Sequence, residues 1–290
     1  MTRAVTALSI LLVLLAAWPA VAAEKGEADV QYYVLMLDGK KMGHARTART
    51  VAEGKVTTAH KVAMTVQRAG RSITVKQSET NYETVKGEPL GFETVQDLGM
   101  VAQKVTGVVG SDGELTITVQ GAGGEQKRTM DWPEGALMSE GVRRLAREKG
   151  LKEGLSFKIK VFVASHLRAF PATVEIGPKA EVDLFGRVVE LTRVTTDVQM
   201  GGTSVPTIAY VNEDLDELKV EMPMFGSKIV MLACPREVAL RKNDKVDFFT
   251  SDRVVLRSPA RLSGYEDASS ATFRLRPEGE ARLTVCKSRG

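Results

Sequence analysis

The sequence predicts a mainly β protein: one or more large curved antiparallel sheets, in two β-rich halves with one central helix. Three observations carry this. Residues 56–66 alternate strictly, with Val56, Thr58, His60, Val62, Met64 and Val66 on one face and Thr57, Ala59, Lys61, Ala63 and Thr65 on the other; that is a half-buried strand. Tight-turn pairs such as Asp38-Gly39, Glu53-Gly54, Phe185-Gly186 and Gly201-Gly202 recur between such segments. Short loops can join antiparallel neighbours but not parallel ones. Helical periodicity is confined to one stretch near the middle.

The elements follow in order. Strands read at 30–37, 41–51, 56–66, 72–84, 91–98, 101–109 and 115–120. Ser139 is placed to cap a helix, Val142, Leu145 and Ala146 form its apolar stripe, and Gly150 ends it. Arg143, Arg144, Arg147 and Lys149 line the opposite side, as a solvated face or an anion-binding one. Leu155, Phe157, Ile159, Val161 and Val163 then share a face with Lys158 and Lys160 opposite. Their apolar face could line an ordinary core or a cavity. Further strands read at 171–176, 187–198, 205–211, 218–224 and 227–233. The organisation is therefore 1–23 leader, 24–135 first β-rich half, 136–150 helix, 151–234 second half and 235–290 a smaller C-terminal portion.

The leader is read as a secretory signal peptide. Arg3 precedes a largely apolar run from Ser9 to Ala17, Pro19 breaks it, and Ala20-Val21-Ala22-Ala23 offers small residues for cleavage. Cleavage after Ala22 puts Ala20 at −3; cleavage after Ala23 puts Val21 there. The expected location is periplasmic or extracellular, and no later stretch reaches the roughly 18 apolar residues of a spanning helix. An oxidising compartment favours joining Cys234 to Cys286, worth about 4 kcal/mol in a chain-entropy model; two buried thiols are the alternative.

The 290 residues are 43% apolar and 26% charged, which excludes wholesale disorder and a polytopic membrane protein. Lys and Arg number 40 against 36 Asp and Glu, a net +4 that falls to +3 without Arg3. That balance is too weak to imply nucleic acid.

No catalytic residue, cofactor site or metal site is expected. The three histidines His44, His60 and His166 have no metal-ligand spacing, and His60 falls on an apolar strand face. No serine elbow is present. Asn212, Asp214 and Asp216 match the first ligand positions of a calcium loop, but Glu217 stands where glycine is required and Pro223 where a glutamate is, so the run reads as an acidic turn.

Tyr33 to His44, Glu79 to Glu83, Gly91-Phe92, Val105 to Gly107, Gly113 to Leu115, Trp132-Pro133, Gly150 to Gly154, Tyr210-Val211, Lys219 and Met222-Pro223 occur in an order that is similar to a known one. It resembles the β-rich region that precedes the catalytic core in bacterial secreted transglutaminase-like proteins, over roughly 30–240. That family's core carries Cys, His and Asp downstream of this region, whereas no histidine follows Cys234 or Cys286 here. The resemblance implies an accessory module without the enzyme. The expected function is a non-catalytic, exported binding or accessory protein of the bacterial envelope, with an envelope protein or hydrophobic ligand as partner. The alternatives are a periplasmic carrier holding a hydrophobic ligand in a curved-sheet cavity, and an enzyme with a non-standard site.

Overall fold

The computed structural model describes residues 28–68, 71–98, 102–224 and 227–246. The leader with Ala22 and Ala23, and Cys286, lie outside the described residues.

The chain is mainly β. The strands are β1 (Asp29–Leu37), β2 (Lys40–Ala52), β3 (Lys55–Arg68), β4 (Arg71–Thr84), β5 (Pro89–Asp97), β6 (Ala102–Val109), β7 (Glu114–Gly121), β8 (Gly124–Asp131) and β9 (Ala136–Leu137). Helix α1 (Ser139–Lys149) follows, then β10 (Ser156–Val163), β11 (Arg168–Leu184), β12 (Arg187–Met200), β13 (Thr203–Val211), β14 (Glu217–Met224), β15 (Ser227–Cys234) and a short helix α2 (Arg236–Ala239). The expected strands are present. β8, β9 and α2 are additional, and β11 is far longer than the expected 171–176. The reason for missing β8 is its composition: it is exposed along nearly its whole length, so no apolar face alternates.

All strands of the described residues join one sheet, ordered β8-β7-β6-β5-β4-β3-β2-β1-β15-β14-β13-β12-β11-β10-β9. Neighbours are antiparallel except β9 and β10, which pair in parallel. The two runs of strands meet where β1 pairs with β15, Leu35 opposite Met231. Two-residue turns make several of the hairpins. Asp38-Gly39 and Glu53-Gly54 both hold two successive positive φ angles, 49° and 76° in the first and 51° and 74° in the second. That geometry matches the right-handed twist of paired strands.

β8 and β9 stand at opposite edges of the sheet, yet only residues 132–135 separate them in the chain. The sheet must therefore curl until its edges approach. The core shows it: Phe92, Val105, Leu115 and Ile117 from β5–β7 form one buried cluster with Ala136, Met138 and Phe162 from β9, β10 and the start of the helix. Phe162 packs against Trp132 at 4.4 Å and Phe92 at 5.4 Å between ring centroids. A second, larger cluster fills the concave side between β1–β3 and β10–β15, including Tyr33, Leu35, Met42, Ile159, Val161, Met222 and Met231. Curvature and burial of one face are the same fact: the inner face excludes water because the sheet wraps on itself.

Candidate ligand-binding cavity beneath α1

Helix α1 packs on the concave face, and polar groups hold its N-terminus. The helix begins at Ser139 with Met138 in the cap position, and no side chain from its own loop caps it. The sequence places Ser139 as the cap, but it is the first helical residue and does not cap; its hydroxyl receives the Asn81 amide at 2.8 Å. The cap comes from β4. Glu83 accepts the backbone N–H of Glu140 at 2.7 Å and of Gly141 at 2.9 Å. These are donors that a helix start otherwise leaves without partners. The helix dipole also favours a carboxylate there.

Arg49 on β2 donates two hydrogen bonds to Glu140, at 2.9 and 3.0 Å. Arg143 lies 3.6 Å from the same carboxylate and is buried, so the expectation of a wholly solvated basic face fails at this position. A glutamate one turn back, Glu140, keeps the guanidinium there. Around the clamp the inner face of β4 is polar, and Thr58 and His60 stand among the apolar residues of β3. Gln77, Glu79, Asn81 and Glu83 are buried on β4, while Tyr82 between them is 41% exposed. Asn81 bonds Glu79 at 3.1 Å, and His60 bonds Thr47 at 3.2 Å.

Burial sets the charge states. Desolvation pushes Glu79 up to about 7, against the Asn81 hydrogen bond that favours its charged form. Glu83 is likewise raised to about 7 by burial, although the two helix N–H groups pull the other way. Desolvation lowers His60 to about 4, so it is neutral inside the curled sheet.

Next to this clamp lies a cavity of about 70 Å³. Val142 and Ala146 of α1 cover it; Phe157, Ile159 and Val161 of β10 and Ala209 of β13 form its apolar walls. The β10 face therefore lines a cavity and the core at once, since Ile159 and Val161 also belong to the large buried cluster. Three polar side chains enter this lining: Thr196, Thr207, which is 2% exposed, and Glu217, which is 7% exposed. Thr207 Oγ1 and Glu217 Oε2 have no hydrogen-bond partner among the described residues. Burial raises the Glu217 carboxyl well above its ordinary range and so favours its protonated form, which can both donate and accept.

The sequence-predicted residues stand apart from this cavity. Cys234 ends β15, buried with Val34 and Ala239, and burial raises its thiol pKa. His44 is on the outer face, His60 faces inward and His166 sits in a 3-10 turn after β10. The Asn212–Asp216 stretch is a turn closed by its own side chain: Asn212 accepts the Asp216 N–H at 2.7 Å. Among the described residues, no group of three or more His, Cys, Asp or Glu could hold a metal ion.

The residues that sequence reasoning overlooked are Thr207, Glu217 and the β4 acids. Glu217 was absorbed into the acidic turn, but it is the first residue of β14 and points inward. Alternation along β4 does put Gln77, Glu79, Asn81 and Glu83 on one face, yet hydropathy assigns such a face to solvent.

No protein-family model matches the chain, and no curated protein sequence matches it. The fold has a solved counterpart. The crystal structure of a beta-barrel-like protein of the domain of unknown function DUF1849 from Brucella abortus is similar, with a TM-score of 0.54 and 15% identity. The match covers 73% of this chain and 98% of that one. The likeness is one of fold alone. It agrees with the curled sheet described above.

Proposed function

We propose that the protein is an exported, non-catalytic binding protein of the bacterial envelope that takes a small amphipathic molecule into the cavity beneath α1. The observation that carries this reading is the pair Thr207 and Glu217. Both are buried in an apolar cavity, and each has an atom without a partner among the described residues. A buried polar group without a partner costs about 1–3 kcal/mol. A ligand with a hydroxyl, amide or protonated carboxyl head recovers that cost while its tail meets Phe157, Ile159 and Val161. The volume of about 70 Å³ is below the roughly 300–1,000 Å³ of pockets that enclose drug-sized ligands. The ligand is therefore a short chain or the end of a longer one, unless α1 moves outward.

The test is calorimetric titration of the purified mature chain with octanol. Binding with a negative heat-capacity change, weakened in Thr207→Val and Glu217→Leu, is the expected result. No binding, or equal binding by both variants with folding intact by circular dichroism, overturns the proposal. Lipid extracted from protein purified out of its own compartment would identify the natural ligand.

A further inference from the structure

The outer face of the sheet carries a second feature unrelated to the cavity. Tyr32, Arg46, Lys61, Ser78 and Val95 stand side by side across β1–β5 as one rung. The next rung runs His44, Ala63, Lys76 and Asp97. Together with Arg236 and Leu240 they line an open trough of about 590 Å³.

Arg46 and Lys61 are direct cross-strand partners. Like charges placed opposite each other destabilise a sheet. Among the described residues, no carboxylate is ion-paired with Arg46, Lys61, Lys76 or Arg236. Asp97 stands opposite Lys76 in register, so the excess charge centres on Arg46, Lys61 and Arg236. Arg46 keeps its guanidinium 6.0 Å from the Tyr32 ring, which holds it in place over the rung.

We propose that this trough docks an extended acidic segment of a partner polypeptide. Charge complementarity names the partner's sign. Shape names its class. Five strands make a rung roughly 19 Å long. Its lining combines the short side chains Ala63 and Ser78 with Arg236 and the 48% exposed Leu240. A planar bilayer surface meets the rim of such a trough, whereas an extended chain lies along its floor. Side chains on one face of that chain recur about every 6.8 Å, within reach of the long flexible cations Arg46 and Lys61 on neighbouring strands.

The experiment uses the full mature chain and fluorescein-labelled hexaglutamate, with hexaglutamine and phosphatidylglycerol vesicles as separate arms. The expected result is hexaglutamate binding that weakens as ionic strength rises, and no hexaglutamine binding. The Lys61→Glu variant is expected to weaken binding by about tenfold or more. It also removes the like-charge pair with Arg46, so its Tm should stay level or rise. Loss of binding in this variant then reports lost complementarity and not lost folding. Equal binding of hexaglutamate by wild type and Lys61→Glu overturns the proposal. So does binding of the vesicles without the peptide, or no peptide binding at low salt.

Discussion

Glu83 on β4 caps a helix that begins more than fifty residues later in the chain: its carboxylate accepts the backbone N–H of Glu140 at 2.7 Å. The neighbouring N–H, of Gly141, goes to its other oxygen. Arg49 grips the Glu140 side chain from β2. The helix is thus fastened to the first run of strands at its start, while its apolar stripe covers the cavity.

Removal of that cap should loosen the helix. Glu83→Ala is expected to lower stability by about 1–2 kcal/mol, the range for loss of a helix cap. Chemical denaturation monitored by circular dichroism measures it. An unchanged midpoint would show that solvent replaces the carboxylate without loss.

The buried acids should invert the usual pH dependence. Glu79 and Glu83 are raised from 4.5 to about 7. Between these values the unfolded chain has released protons that the folded chain keeps, so rising pH removes stability. The slope is at most about 1.4 kcal/mol per pH unit for each group. His60, lowered from 6.5 to about 4, works the other way: its contribution is lost as pH falls below 6.5. Two acids outweigh one imidazole in the shared window. Tm should therefore rise as pH falls from 7 to about 5, then drop below about 4.5. In Glu79→Gln the rise should shrink. A Tm that is flat or falls between pH 7 and 5 would contradict these charge states.

Gly107 and Phe92 test the curl of the sheet. A Cβ at position 107 would lie 2.5 and 2.8 Å from Cζ and Cδ1 of the Phe92 ring. Phe92 is buried and stacks towards Phe162 across the closure. Gly107→Ala should cost about 1–3 kcal/mol, as overpacking does. Phe92→Leu in the same background should recover part of that loss, which a thermal melt of the double variant measures.

The cysteines carry a chemical prediction. Cys234 and Cys286 are expected to be joined in the exported protein, so thiol labelling of denatured, unreduced material should be near zero. Cys234→Ser should lower Tm and leave no amine-incorporation or peptide-hydrolysis activity to lose, because none is expected of the parent. Turnover abolished by the substitution, with folding intact, would make Cys234 a nucleophile.

The strands and turns were legible because they are local properties. Two-residue periodicity and pairs such as Asp38-Gly39 report backbone geometry directly, and the apolar face of β3 is buried as its alternation implies. The helix was legible too, in its extent, from the Val142, Leu145 and Ala146 stripe and the stop at Gly150.

What the sequence by itself determined was most of the strands, the one long helix and the antiparallel sense of the hairpins; β8, β9 and the parallel β9–β10 pair escaped it. Tertiary structure alone decided which side of β4 faces inward. Gln77, Glu79, Asn81 and Glu83 are buried there against hydropathy: the N-terminus of α1 gives two backbone donors to Glu83, its Ser139 hydroxyl accepts the Asn81 amide, and Arg49 and Arg143 bring charge to Glu140. It also decided the cavity, since Thr207 and Glu217 come from strands far from α1 in the chain and meet beneath it only once the sheet has curled. Periodicity is written in neighbouring residues. Burial of a polar group depends on distant partners that supply its hydrogen bonds, and those exist only in the folded chain.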